Sequence, residues 1–231
     1  MIGLAAAMAL PFTSAPVQAQ GGPGEVLPLG TAGHLGAPTG RPVTGMARSA
    51  SGQGYWLAAS DGGVYAYGDA VFAGAATGLT RSIVDMAATA TGKGYWLASS
   101  SGGVYAFGEA RFAGSLTGVR LNGPVVGIAG TPSGQGYWMV SRDGGVFAFG
   151  DAPYLGSGAA AGTVAPAVAI QASRTGNGYR ILTRDGGVYA FGDAPFAGAA
   201  SGQAGGPFVD IAGTADGKGY WVAGAEGAVK A

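Results

Sequence analysis

The acidic residues are the side chains of this sequence best suited to chemistry, and most of them recur at a regular spacing. Asp85 and Asp210 stand within short apolar runs, at a position that similar segments fill with Gly45, Gly127 or Ala169. Two carboxylates that face each other across a channel suit the hydrolysis of glycosidic bonds. The sequence therefore offers Asp85 and Asp210 as channel carboxylates, either as a catalytic pair or as side chains that bind water in the channel.

Two other acidic series lie in turns. The first series begins Asp-Gly-Gly turns, and the second follows the next apolar run, eight residues further on. A strand between them would separate the two series by on the order of 20 Å, so they cannot share a metal ion. We predict that both hydrogen-bond the backbone of their turns. The first series is Asp61, Asp143 and Asp185, and the second is Asp69, Glu109, Asp151 and Asp193.

Charged residues in the Asp-Gly-Gly turns are the candidates for ligand binding. Near-identical turns repeated around a molecule would form near-identical sites, and weak sites gain avidity when they bind one polymer together. The predicted partner is a cell-wall polysaccharide or a surface protein. The candidate residues are Asp61, Arg142, Asp143, Arg184 and Asp185.

Composition excludes several other kinds of chemistry. The chain has no cysteine, which excludes disulfides and thiolate metal sites. Its 12 basic and 12 acidic residues give a net charge of zero, so nothing favours nucleic acid as a partner. His34 is the only histidine and stands where other units have Phe72 or Phe112, so it is an aromatic replacement rather than a catalytic base. We predict no cofactor and no metal ion.

A repeated phrase indicates the elements that position these groups. Gly-Tyr-Trp is followed by Asp-Gly-Gly-Val-aromatic-Ala-aromatic-Gly, and its tyrosine recurs every 40 to 42 residues. Each unit contains four short apolar runs separated by glycine turns, without helical periodicity. This pattern predicts an all-β, five-bladed propeller of four-stranded blades. A β-solenoid of stacked hairpins is the alternative. The repeated tyrosines are Tyr55, Tyr95, Tyr137, Tyr179 and Tyr220.

The aromatic residues of the second run are better suited to a core than to a ligand. Tyr55, Trp56 and their counterparts could stack on sugar rings, but both faces of a blade are buried against neighbouring blades, so we predict core packing. Arg180 replaces the tryptophan in one unit. Its charge predicts a solvent-facing position, unless it is a neutral change in a decaying repeat.

Domain boundaries follow from the repeats. Residues 1–19 are apolar and end in Val17-Gln18-Ala19, which predicts a signal peptide, although no Lys or Arg precedes the apolar run. Residues 20–231 form the propeller, without a membrane span, secreted or at the cell surface. Small side chains in the first run of each unit suit the crowded centre of such a ring. The full blades are about 42–81, 82–122, 124–164 and 166–206, and residues 24–40 plus 207–231 form a split blade that closes the ring.

The phrase from Asp143 to Tyr154, preceded by Gly136-Tyr137-Trp138, resembles repeats found in many exported actinobacterial proteins. There the repeats stand alone or beside domains that degrade the cell wall. This resemblance implies a secreted or surface-associated accessory module and implies no activity. The number of blades is similar to that of the tachylectin-type lectins, whose blades each carry a sugar site.

These observations predict a non-catalytic module that binds cell-wall or extracellular glycan, or a surface protein, through repeated loops. The first alternative is a glycoside hydrolase-like enzyme that uses the channel carboxylates. The second is a structural repeat fragment of a larger cell-surface protein.

Overall fold

The structure, a computed structural model, describes residues 35–162 and 165–231. These residues form strands and no helix, which confirms the all-β prediction. Within these ranges there is therefore no helix long and apolar enough to cross a membrane. The predicted signal peptide, residues 24–34 of the split blade and His34 lie outside the described residues.

The described strands form five three-stranded antiparallel sheets, and each sheet takes three consecutive strands in chain order. We call a sheet, together with the chain up to the next sheet, a unit, and number the units 1 to 5. The strands are Val43–Arg48 (β1), Tyr55–Ala59 (β2), Val64–Tyr67 (β3), Ile83–Ala88 (β4), Gly94–Ser99 (β5), Val104–Gly108 (β6), Val125–Gly130 (β7), Tyr137–Ser141 (β8), Val146–Phe149 (β9), Ala167–Ala172 (β10), Gly178–Thr183 (β11), Val188–Gly192 (β12), Phe208–Gly213 (β13), Tyr220–Gly224 (β14) and Val229–Lys230 (β15).

The Asp-Gly-Gly turns connect the second and third strands of their sheets. In unit 1 the carboxylate of Asp61 accepts a hydrogen bond from the Gly63 N–H at 3.0 Å, and Gly62 has a positive φ of 89°. A Cβ on Gly62 would lie 1.8 Å from the carbonyl oxygen of Ala76, so only glycine fits. The tight turn that the sequence predicts is confirmed.

The predicted fourth strand does not form in the described units. In unit 1 the indole N–H of Trp56 donates to the Val71 carbonyl at 2.9 Å. The hydroxyl of Tyr95, from unit 2, accepts from the Ala73 N–H at 3.1 Å and donates to the Gly74 carbonyl at 2.6 Å. Side chains therefore bond the backbone groups that an outer strand would pair along a ladder. Each sheet of the described residues therefore has three strands rather than the predicted four.

The hydrophobic core lies between consecutive sheets. Trp56 is fully buried and packs on Tyr95 of the next unit, with ring centroids 5.7 Å apart. Trp96 and Trp138 repeat the contact with the tyrosines of units 3 and 4, at 5.5 Å in each case. The predicted core packing is confirmed for these three tryptophans, because none of their ring faces is left for a sugar. It is wrong for Trp221 of unit 5, which is 44% exposed.

The first strands of consecutive units pack against one another. Each has a bulge at the same place, which in β4 falls between Ile83 and Asp85. A Cβ on Gly45 in β1 would lie only 2.7 Å from the backbone nitrogen of Met86 in β4. This close approach explains the glycine at position 45 of β1, where a side chain would meet the backbone of β4.

Candidate functional site

A cavity of about 580 Å³ is lined by the first strands of all five sheets. Asp85 and Asp210 both line this cavity, so the tertiary structure brings the two predicted channel carboxylates to one place. Among the described residues that line it, they are the only ionisable side chains, and the other walls are mainly valine, isoleucine and methionine.

Both carboxylates are hydrogen-bonded to strand backbone. The Oδ1 of Asp85 accepts from the Met86 N–H at 2.8 Å, and its Oδ2 accepts from the Ile128 N–H at 2.9 Å. Because Ile128 belongs to β7, Asp85 connects the first strands of units 2 and 3. The Oδ1 of Asp210 accepts from the Ile211 N–H at 2.8 Å. These bonds join backbone groups at the bulged ends of the strands.

The surroundings favour the neutral forms of the two carboxyl groups. Burial raises the pKa of Asp85 to about 7; the Ile128 N–H opposes the rise and the nearby charge of Asp210 adds to it. Burial also raises the pKa of Asp210, against the effect of the Ile211 N–H. Both shifts run towards the protonated form, so this cavity holds a proton more tightly than a solvent-exposed aspartate does.

The carboxylates of the Asp-Gly-Gly turns accept bonds within their own turns, and Asp61 also bonds to Arg41. Asp61 forms an ion pair with Arg41, and the Gly63 N–H lowers the pKa of Asp61. Asp185 accepts from the Thr183 hydroxyl at 2.6 Å and from the Gly187 N–H at 3.2 Å. Asp143 accepts from the Ser141 hydroxyl. The predicted hydrogen bond to the turn backbone is thus confirmed for Asp61 and Asp185. The Asp143 carboxylate instead accepts its hydrogen bond from a side-chain hydroxyl.

The arginines of these turns lie beside the connections between units. The backbone carbonyl of Arg142 accepts from the Ala167 N–H, and that of Arg184 accepts from the Phe208 N–H, each at 2.9 Å. Both residues are exposed. The five candidate ligand-binding residues stand in turns of three different units, so they are a repeated feature of the units.

The second acidic series lies at the other end of the sheets. The Asp193 carboxylate accepts hydrogen bonds from the hydroxyls of Thr175 and Ser173, and these bonds lower its pKa. Asp151 accepts from Thr131 in the same way, at 2.9 Å. The partners are hydroxyl groups of the turn between the first and second strands, rather than the turn backbone that the sequence predicts. These acids therefore join the chain after the third strand to that turn.

Arg180 is buried, so the prediction of a solvent-facing position is wrong. The residue is only 1% exposed, and its Nε donates to the Pro195 carbonyl at 2.8 Å. Its other nitrogens donate to the Gln171 side chain at 2.8 Å and to the Gly217 carbonyl at 3.2 Å. The guanidinium also lies over the ring of Tyr220, 4.9 Å from its centroid. Burial is possible because hydrogen bonds and an aromatic face replace water.

A row of exposed aromatic residues was not predicted from the sequence. They occupy one equivalent position in units 1 to 4, and their side chains are 56–61% exposed. Each follows a member of the second acidic series by three residues. The sequence did contain a signal for this exposure. An aromatic recurs at one position of the fourth apolar run, and in two units a proline precedes it. The row consists of Phe72, Phe112, Tyr154 and Phe196.

The exposed aromatics lie at the junctions between units. Beside Phe112, Arg111 donates to the side chain of Gln135 at 3.1 Å, and the Ala113 N–H donates to the Tyr137 hydroxyl at 3.2 Å. Both partners belong to unit 3, whereas Phe112 belongs to unit 2. The same tyrosine bond recurs after the other three aromatics. Each ring thus stands on a segment that is fixed by the following unit.

No protein-family model matches this chain, and the search of curated proteins found no match either. In residues 35–162 and 165–231, no three His, Cys, Asp or Glu side chains are grouped so that they could hold a metal ion.

Proposed function

We propose that the five units are the blades of a closed propeller. The proposal is supported by the single cavity that the first strands of all five sheets line. It is also supported by the contacts between consecutive first strands. A solenoid of stacked hairpins would give successive strands no common central cavity.

We further propose that this protein is an exported, non-catalytic module that binds cell-wall or extracellular glycan. The observation that carries the proposal is the row of exposed aromatics, Phe72, Phe112, Tyr154 and Phe196, at one equivalent position in four successive units. Rings of this kind present large, rigid apolar surface at low entropic cost. The apolar faces of sugar rings stack on such surfaces.

Polar groups near the row suit the hydroxyls of a sugar. The turn of the following unit contains Gln135 beside Phe112, and the equivalent turns beside the other three aromatics contain Lys93, Asn177 and Lys218. Amide and carboxylate groups beside an aromatic ring can orient a polyhydroxylated ligand. Four weak sites on one rigid body would bind a polymer much more tightly than one site alone. A repeating glycan therefore fits the repetition of the protein.

Sedimentation with isolated cell walls tests this proposal. Residues 20–231 should be retained by the walls, and one class of soluble glycan should compete for retention. Replacement of Phe72, Phe112, Tyr154 and Phe196 by alanine together should abolish retention, while replacement of the exposed Val119 by alanine should not. Equal retention of the fourfold variant would contradict the aromatic site. If none of the soluble glycans reduces retention, the result would indicate a surface protein as the partner.

Catalysis by the cavity carboxylates is the second candidate function. Asp85 and Asp210 line one cavity, and the pKa of Asp85 is raised to about 7, as a general acid requires. We favour a structural role because both oxygens of Asp85 accept backbone N–H groups. Glycan hydrolysis that disappears in both Asp85→Asn and Asp210→Asn, with binding intact, would support the enzyme.

A further inference from the structure

The junction between units 2 and 3 has a charged side chain at a position where the other three junctions have none. The residue before the exposed aromatic of unit 2 is Arg111. Valine and proline side chains have no hydrogen-bonding group. Phe112 therefore stands directly beside a cation that its counterparts lack. The uncharged residues at this position in units 1, 3 and 4 are Val71, Pro153 and Pro195.

Arg111 is held in place from both sides of the junction. Its backbone carbonyl accepts the indole N–H of Trp96 in its own unit at 2.8 Å. Its Nη1 donates to the Oε1 of Gln135 in unit 3 at 3.1 Å. Arg111 and Gln135 are both exposed, so a ligand can reach them. Because the guanidinium is already oriented, it loses less side-chain entropy when a ligand binds.

The acidic residues of this junction bond to their own units. In unit 2, Glu109 forms an ion pair with Lys93 at 3.8 Å. In unit 3, Asp151 accepts a hydrogen bond from the Thr131 hydroxyl at 2.9 Å. The described partner of the Arg111 side chain is instead the uncharged amide of a glutamine. Its positive charge is therefore available to an anionic ligand.

The polar groups beside Phe112 are suited to a ligand that accepts hydrogen bonds. Arginine has five N–H donors and no acceptor, so Gln135 must present its oxygen to Arg111, and its NH₂ group points elsewhere. The ring of Phe112 is 57% exposed and supplies an apolar face. A carboxylate accepts two parallel N–H bonds from one guanidinium. An apolar face beside such donors matches a sugar ring that carries a carboxylate.

We propose that the junction between units 2 and 3 binds a hexuronic acid residue of the glycan. Phe112 contacts the face of the sugar ring, and Arg111 binds its carboxylate. The carboxylate of a hexuronic acid is attached directly to the ring, and consecutive Cα atoms are only about 3.8 Å apart, so one sugar residue can reach both side chains. The proposal rests on the glycan binding proposed above and names the sugar that one of its four sites prefers.

Variants with one aromatic left separate this preference from avidity. In the first variant, Phe112 remains and the other three aromatics are replaced by alanine. In the second variant, only Tyr154 remains, and this junction is the reference because neither Pro153 nor Asn177 carries a charge. NMR titration gives the Kd of each variant for digalacturonic acid and for its neutral methyl ester.

The Phe112 variant should bind the acid about fivefold more tightly than the ester at low salt, and the ratio should fall as salt is added. The Tyr154 variant should bind the acid and the ester equally. Equal binding by the Phe112 variant would overturn the proposal and leave glycan binding standing. Binding of neither ligand by this variant would also overturn it, and the cell-wall assay then decides whether the protein binds glycan.

A matched pair of substitutions shows whether Arg111 is responsible. In the Phe112 variant, Arg111→Gln should remove the preference for the acid over the ester, whereas Arg120→Gln should not. Arg120 is also exposed, but it adjoins Val119, which lies beside Ser101 in the turn between β5 and β6. A preference that survives Arg111→Gln, or that Arg120→Gln removes equally, would overturn the proposal.

Discussion

Arg180 shows how one side chain can replace another of different chemistry in a repeat. Its Nε donates to the carbonyl 15 residues further along the chain, as the indole N–H of each buried tryptophan does. Its planar guanidinium lies against Tyr220, where a tryptophan would place its ring. The two additional N–H groups bond to Gln171 and Gly217, so the charge is buried with its hydrogen bonds made.

Replacement of Arg180 should therefore depend on which bonds the new residue keeps. Arg180→Ala leaves buried acceptors unpaired and opens a cavity, so we expect a loss of about 3 kcal/mol or more of unfolding free energy. Arg180→Trp restores the bond to the Pro195 carbonyl and should stay within about 1 kcal/mol of the original protein. Urea denaturation of the two variants measures this. Similar losses for both would contradict the proposed equivalence.

Asp85 should make the protein less stable as the pH rises towards neutral. Its folded-state pKa of about 7 lies above the usual value of an aspartate, so the folded state holds the proton more tightly than the unfolded chain. The unfolding free energy should fall between about pH 4 and pH 7, by at most about 1.4 kcal/mol per pH unit. The raised pKa of Asp210 acts in the same direction. Among the described residues, no other ionisable group lines the cavity.

Denaturation at pH 5 and pH 8 tests this dependence. The aspartates of the turns, such as Asp61 and Asp193, have lowered pKa values and are ionised at both pH values, so they add no slope. Asp85→Asn should lose most of the difference between the two pH values. An unchanged difference in this variant would show that another group is responsible.

At the scale of the element, the segment after each third strand is held by side chains from two units. The tryptophan of the same unit bonds one carbonyl, and the tyrosine of the next unit bonds an N–H and a carbonyl. This arrangement leaves the outer segment free of a strand ladder. It also fixes the segment at the junction, which is where the exposed aromatics stand.

Removal of one tyrosine hydroxyl should weaken one junction. Tyr95→Phe leaves the Ala73 N–H and the Gly74 carbonyl without their described partner, and we expect a loss of about 1 to 3 kcal/mol in unfolding free energy. The matched control is Tyr154→Phe, whose ring is exposed and whose loss should be within about 0.5 kcal/mol. Equal losses in urea denaturation would show that the hydroxyl bonds do not stabilise the junction.

At the scale of the whole molecule, repetition should make glycan binding depend on how many aromatics remain. If each stacked ring contributes about 1 kcal/mol, each replacement by alanine should weaken wall binding about fivefold, whichever of the four is chosen. Variants with one, two and four replacements measure this series. A loss confined to Phe112, for example, would indicate one site rather than four.

Much of this architecture could be predicted because it depends on neighbours within each repeat. The phrase around Asp61, Gly62 and Gly63 specifies a tight turn wherever it occurs, since only glycine tolerates those dihedral angles. The burial of Trp56, Trp96 and Trp138 follows in the same way from aromatic and β-branched runs between glycine turns. The number of units equals the number of repeated tyrosines, which is five.

The sequence by itself determined the repeat, its turns, its three main strands and its buried aromatics, because these depend on local conformation and on the spacing of apolar residues. Only the tertiary structure decided that the fourth apolar run of the described units forms no strand and that Arg180 is buried. It also decided that Asp85 and Asp210 line one cavity. It also decided that Phe112 and its counterparts are exposed. Each of these features depends on side chains from different units that meet only in the folded molecule, where bonds such as that of Tyr95 to Gly74 replace a strand ladder.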